Sequence, residues 1–163
     1  MTQHHAASSG FSECLTFRLG KEEYGIDILR VQEIRSYETP TRIAHAPAFI
    51  KGVIDLRGVI VPIVDLRLKL ACASSEYTPF TVVIILNVAQ SVMGVVVDAV
   101  ADVVQIPHEA LRPAPQFQDS SQVDGAFIKG IAKVGERMLI VVDIAAMLTA
   151  QDMGVLRTAA HAA

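Results

Sequence analysis

Residues 14–19, Cys-Leu-Thr-Phe-Arg-Leu, alternate apolar and polar with the period of a half-buried strand. Gly20-Lys21-Glu22 has turn character and residues 24–28 run back, so a first hairpin is predicted. Residues 29–35 are ambiguous: Ile28, Val31 and Ile34 fit one helical face, but their β-branching suits extended backbone equally, and the segment reads as a short irregular turn. Residues 49–56 and 59–64 flank Arg57-Gly58 as a second hairpin, and Pro62 in its return strand calls for an edge or bulge where no amide is needed. Asp65 is placed to cap a short helix at 66–70, and Asp143 another at 144–148. Residues 80–86 are apolar without alternation, the pattern of a strand covered on both faces and a candidate for the place where two halves meet. Strands are then predicted at 93–98 and 103–106, followed by a Pro113/Pro115 loop and a hairpin over 127–142 around Gly135-Glu136. Thr149-Ala-Gln-Asp152 resembles a capping box opening a last helix.

The pattern occurs twice. Phe-Ile-Lys-Gly at residue 49 returns at residue 127, and Asp65 is answered by Asp143, both 78 positions on. A weaker echo lies upstream, where Gly25, Val31, Glu33 and Ile34 are answered 69 positions on by Gly94, Val100, Asp102 and Val103. The second copy is longer by a stretch near residues 112–117, and a duplicated unit that gains a segment or changes charge is a first place to look for function. About five short strands per half would leave long open edges unless each half curls into a small barrel. The organisation expected is a disordered leader at 1–11, a first barrel at 12–74, a second at 75–150 and a helical tail at 151–163. A mostly-β protein of two side-by-side barrels follows, each too small to bury a sufficient core alone.

Composition removes several classes. Hydrophobic residues make up 52 % of the 163 and mean hydropathy is +0.41, yet Asn87, Asp98 and Asp143 interrupt every long apolar run, so a soluble, cytosolic protein is expected. Net charge is −3 and the basic residues are scattered, with no Trp and 6 % aromatics, which argues against a nucleic-acid track. Cys14 and Cys72 are read as thiols. The five histidines lack partners at ligand spacing, and no phosphate-loop, dinucleotide or nucleophile-elbow motif occurs, so no metal, cofactor or catalytic residue is expected. What remains is a set of groups that the copies do not share. Arg57 stands at a hairpin tip where the other copy has Gly135, and Phe117 sits in a Pro- and Gln-rich loop.

Several runs together resemble the CheW family of chemotaxis coupling proteins. They are Glu23-Tyr24-Gly25-Ile26-Asp27-Ile28, Val31-Gln32-Glu33-Ile34, the stretch from Pro47 through Ile50-Lys51-Gly52, Leu56-Arg57-Gly58 and Pro62 to Asp65-Leu66, then Gly94-Val95-Val96-Val97-Asp98 and Leu111-Arg112-Pro113. The resemblance spans about residues 15–148. It implies two five-stranded SH3-like barrels and a non-enzymatic adaptor between transmembrane chemoreceptors and the regulatory domain of the histidine kinase CheA, cytoplasmic and held at the receptor array. Carried over residue by residue, it implies receptor contact through Val31, Glu33, Ile34, Gly52, Arg57 and Val103, and kinase contact through Pro40, Thr41 and Phe117. One departure is Asp55, where the family usually has asparagine; a carboxylate there is positioned to restrain Arg57 by pairing.

Overall fold

The computed structural model describes residues 10–69, 76–88, 90–113 and 127–148. Its strands are β1 (Phe11–Leu19), β2 (Glu22–Asp27), β3 (Val31–Ser36), β4 (Ile50–Leu56), β5 (Val59–Asp65), β6 (Val82–Val88), β7 (Ser91–Val97), β8 (Ala99–Pro107), β9 (Leu111–Arg112), β10 (Ile128–Val134) and β11 (Arg137–Val142). One-turn helices α1 (Leu66–Lys69) and α2 (Ile144–Met147) follow β5 and β11. Among the segments read from sequence, 29–35 differs: a 3-10 turn at Ile28–Arg30, with Asp27 Oδ1 accepting from Leu29 N at 3.0 Å, leads straight into β3. The capped turn uses up the helical tendency, and the β-branched residues then extend. The strand expected at 103–106 is also longer, because β8 stays paired along β1 from Pro107 back to Ala99. The leader expected at 1–11 overlaps β1, since Phe11 opens that strand and Gly10 O accepts from His108 N. The tail helix expected at 151–163 lies outside the described residues.

Two sheets form, with strand orders β3-β6-β7-β5-β4 and β8-β1-β2-β11-β10-β9. Each curls into a barrel, because the strand that begins it runs on to meet the strand that ends it. Beyond β3, Thr41 exchanges backbone hydrogen bonds with Val53 of β4, both 2.9 Å; beyond β8, β9 pairs with β10. Arg112 faces Ile131, which is Val53 shifted by 78 positions, so the two closures correspond. Gly52 and Gly130 sit at these crossings. A Cβ on Gly130 would lie 2.6 Å from Arg112 O, and one on Gly52, whose φ is +139°, would overlap Thr41 O.

The orders correspond strand for strand, yet the expected boundary between residues 74 and 75 is not where the barrels divide. β3 to β7 make one barrel from the middle of the chain, and β1, β2 and β8 to β11 make the other from its two ends. Each copy of the repeat therefore lends a piece to each barrel, β1–β2 from the first and β6–β7 from the second. The exchange builds a duplicated seam. Leu15, Phe17, Leu19, Tyr24 and Ile26 are answered 69 positions on by Ile84, Leu86, Val88, Met93 and Val95, and all ten are buried in one cluster. Each such side chain stabilises by about 1.5–3 kcal/mol on burial, so neither barrel is an independent unit. The opposite faces of the same strands point into separate barrel cores. Val83, Ile85 and Val96 join Leu56, Val61 and Ile63 in the middle barrel, while Cys14 joins Ile106, Ala132, Leu139 and Val141 in the terminal one. That is why β6 shows no alternation.

Pro62 is explained by the register. Val53 turns both its hydrogen-bonding groups toward Thr41, so its partner Pro62 needs no donor on the β4 side, and pairing with β7 begins only at Ile63.

Candidate functional site

The β4–β5 turn is a two-residue connection with positive φ at both centres, +53° at Arg57 and +90° at Gly58. Such turns match the twist of paired strands and favour Asn or Gly at the first centre. The second copy follows that preference with Gly135, φ +62°, whereas the first keeps an arginine in a conformation that L side chains resist. A strained non-glycine residue whose counterpart is glycine is a mark of use elsewhere. Asp55 holds the turn, its Oδ1 accepting from Gly58 N at 2.8 Å. The pairing expected between Asp55 and Arg57 does not form, because Asp55 is occupied by that amide and Arg57 Nη2 instead donates to Glu33 Oε2.

Glu33 lies on β3, where alternation turns Val31, Glu33 and Arg35 half inward and Gln32, Ile34 and Ser36 outward. Arg57 holds the Glu33 carboxyl below its ordinary range, chiefly through that hydrogen bond. Arg35 approaches Glu33 and Glu38, 3.9 Å from each. Ile34 is 43 % exposed on the same strand, and Val31 packs against the seam. The structure thus brings Glu33 and Arg57 into contact, while Ile34, next along β3, points outward. Val103 is on β8 in the other barrel, paired with Leu15 and 50 % exposed. Gly52 is buried and can affect a partner only through the course of β4.

Of the second group of residues, Thr41 is exposed and supplies the barrel-closing bridge, while Pro40 is buried. Pro40 walls a cleft of about 710 Å³ with Tyr37, Arg42, Ile43, Lys51 and Tyr77. Tyr37 and Tyr77 stack there at 4.3 Å, and burial followed by a hydrogen bond with Tyr77 pushes the Tyr37 phenol up to about 12. Phe117 lies outside the described residues, as does Cys72. Cys14 is a buried free thiol with a raised pKa, pushed up mainly by burial. Among the described residues no group of His, Cys, Asp or Glu is arranged to hold a metal, and no helix is long and apolar enough to cross a membrane.

Two polar constellations escaped the sequence reading. In the terminal barrel, Asp102 on β8, Thr16 on β1, Glu23 on β2 and Arg137 on β11 meet across four adjacent strands. Arg137 donates to Asp102 Oδ2 and Oδ1 at 3.0 and 2.8 Å and to Glu23 Oε1 at 3.2 Å, and the Thr16 hydroxyl donates to Asp102 Oδ1 at 2.6 Å. The hydrogen bond from Arg137, then that from Thr16, holds Asp102 down at about 2. The second constellation centres on Arg67, which is completely buried and bidentate to Asp65, with 3.0 Å for each contact. Asp65 does accept from Arg67 N at 3.0 Å, as a helix cap would, but its carboxylate is chiefly an internal counter-ion. Asp143 is the plain cap expected, accepting from Ala146 N at 3.1 Å. The signal was in the repeat, where Arg67 corresponds to Ala145 and Arg137 to Val59.

The model of the CheW-like domain family matches residues 13–152. The chemotaxis protein CheW of Klebsiella aerogenes is 54 % identical over 141 residues, covering 86 % of this chain and 84 % of that protein. A probable chemotaxis protein CheW of Rhizobium etli is 34 % identical, covering 87 % and 90 %. The crystal structure of the scaffolding protein TtCheW from Thermoanaerobacter tengcongensis superposes with a TM-score of 0.78 at 31 % identity, covering 85 % of this chain and 93 % of that one.

Proposed function

The chain belongs to the CheW family of chemotaxis scaffold proteins, and from that premise we propose that it is a non-enzymatic coupler joining transmembrane chemoreceptors to the regulatory domain of the histidine kinase CheA. It works from the cytoplasm at the membrane-associated array. The observation that carries this reading is Arg57: it is held in a left-handed turn that glycine fills in the other copy, and it is bonded to Glu33 on the strand that carries the exposed Ile34. Val31, Glu33, Ile34, Arg57 and Val103 meet the receptor's helical tip, apolar groups taking its hydrophobic face and the ion pair fixing its orientation, while Gly52 keeps β4 close enough to Thr41 to present the turn. Pro40, Thr41 and Phe117 serve the kinase. Modest contacts on separate faces suffice because the array multiplies them.

The test is a binding titration with a purified receptor signalling fragment and, separately, the kinase regulatory domain. Arg57→Ala should weaken the receptor fragment at least about tenfold and leave the kinase domain bound. A folded variant that binds both partners normally, or a native chain that binds neither, would overturn the reading.

A further inference from the structure

The chain passes from one barrel to the other twice: once through residues 28–30, between β2 and β3, and once through the single residue Asp98, between β7 and β8. The two passages correspond in the repeat, since Leu29 lies 69 positions before Asp98, but they are treated differently. Leu29 is 86 % exposed. Asp98 is held from both sides. Its Oδ2 accepts from Gly20 N at 2.7 Å and its own amide donates to Arg18 O at 3.1 Å, which ties it to the β1–β2 hairpin of the terminal barrel. Its Oδ1 accepts from Arg67 Nη1 at 3.2 Å, which ties it to the middle barrel through Asp65 at the end of β5.

Arg67 has every side-chain nitrogen occupied, the remaining donation going from Nη1 to Glu76 O at 2.6 Å. The Tyr77 ring lies 4.7 Å from its guanidinium carbon, and the Tyr77 hydroxyl donates to Asp65 Oδ2 at 3.4 Å. Tyr77 in turn stacks on Tyr37, which directly follows β3 and precedes Pro40 and Thr41. A polar chain therefore runs from the hairpin of one barrel, through a crossover residue, to the segment between the two docking regions of the other.

Buried ion pairs add little net stability compared with apolar side chains of the same volume, because desolvation offsets the attraction. What they supply is direction. The seam is held by non-directional apolar contact, and a small slide keeps most of its buried area, whereas the two directed bonds that Asp98 accepts, one from Arg67 of the middle barrel and one from Gly20 N of the terminal barrel, cannot both survive it. We propose that the Asp65–Arg67–Asp98 chain is a strap that sets the angle between the barrels and so keeps the receptor-facing strand and the kinase-facing segment in one fixed relation. The second half rests on the function proposed above. Arg67 and Asp98 are positioning residues that touch no partner.

The strap is tested first without partners. Spin labels are placed through Gln32→Cys on β3 and Gln105→Cys on β8, both outward-facing, in a chain carrying Cys14→Ala and Cys72→Ser, and the distance distribution is measured. Asp98→Asn still offers an oxygen to Gly20 N but removes the charge that Arg67 needs; Asp65→Asn with Arg67→Met removes the other end without orphaning a buried charge. One narrow distance is expected for the parent and a broadened or shifted one for each variant, with melting temperatures kept within about 4 °C. An unchanged distribution in whichever variants fold overturns the strap. The coupling is then read as the ratio of kinase-domain affinities with and without saturating receptor fragment. A ratio of about five or more in the parent should fall toward one in Asp98→Asn while each partner alone binds within about twofold of the parent. A preserved ratio in a variant with broadened distances overturns the coupling half alone. A parent that binds neither partner defeats the functional reading, while the distances still decide the strap.

Discussion

The mouths of the two barrels start from the same acid and put it to different work. Glu33 on β3 and Asp102 on β8 hold corresponding positions, 69 apart. Asp102 is paired across its own sheet by Arg137, with Glu23 and Thr16 completing a row across four strands. At the corresponding places in the middle barrel stand Val59, Val92 and Ile85, so Glu33 finds no cation on the neighbouring strands; Arg35 approaches only to 3.9 Å, and Arg57 from the turn supplies the hydrogen bond. Arg57 remains 66 % exposed, with donors to spare. Duplication supplied two equivalent mouths; one was closed by internal pairing and the other left with its charge facing outward. A pair that satisfies itself stabilises, and a pair with unused donors keeps them open to solvent or to a partner.

The severest way to break the comparison is to attack what both barrels share. Alanine at Gly130 forces a methyl against Arg112 O, an overpacking cost of about 1–3 kcal/mol. Alanine at Gly52 meets the same obstacle at Thr41 and must also adopt a φ of +139°, adding about 1–3 kcal/mol of backbone strain. Chemical denaturation should therefore rank Gly52→Ala as more destabilising than Gly130→Ala. Equal costs would mean that the backbone conformation at Gly52 carries no strain of its own and that the two closures are energetically alike.

Next come the two arginines. Arg137→Ala leaves Glu23, which is largely buried, and Asp102 without their cation, and should lower stability by about 2 kcal/mol. Arg57→Ala removes only the exposed partner of an ion pair and keeps an L side chain at the same turn position, so its unfolding midpoint should stay within experimental scatter of the parent. If Arg57→Ala proved the more destabilising of the two, the contrast between a closed and an open mouth would fail.

The pH dependence sharpens the same point. The folded pKa of Asp102, about 2, lies below its ordinary 3.8. A depressed carboxyl contributes stability that is fully present above the unfolded value and is lost as pH falls through the folded one. Its contribution should therefore fade between about pH 4 and about pH 2. Asp102→Asn should flatten that part of the acid-unfolding profile, measured by circular dichroism, and a profile parallel to the parent's would remove Asp102 from the row. The carboxylate is half exposed, so solvent screening keeps the effect below that of losing Arg137.

How much of this was legible in the chain follows from which forces are local. The hairpins at Arg57-Gly58 and Gly135-Glu136, the doubly covered strand at 82–88 and the α2 cap depend on residues a few positions apart, and alternation and turn chemistry announce them. The exchange of hairpins between barrels is not local. β3 pairs with β6 across some fifty residues of sequence, and no periodicity distinguishes that partner from β1 or β2. The repeat offsets do not reveal it either, because both crossings, at residues 28–30 and at Asp98, lie inside the stretch where the offset is a constant 69. The buried Arg67 was hidden by its charge, since a basic residue at the end of a short helix reads as solvated until Asp65, Asp98 and Tyr77 are seen around it. Comparing the copies residue by residue, Arg67 against Ala145, was the signal that could have found it.

The smallest effect expected belongs to Asp55. Its Oδ1 accepts from Gly58 N, a bond that the amide oxygen of asparagine reproduces at the same reach. Because Arg57 is committed to Glu33, the carboxylate of Asp55 contributes through the turn alone. Asp55→Asn should therefore change neither the unfolding midpoint nor receptor-fragment affinity by more than about twofold in the corresponding equilibrium constant. Asp55→Ala removes the acceptor and should loosen the turn, which is visible as faster amide exchange at Gly58. A marked gain in receptor affinity for Asp55→Asn would mean that Asp55 competes for Arg57 in solution, and the outward-facing mouth would then be partly closed by its own neighbour.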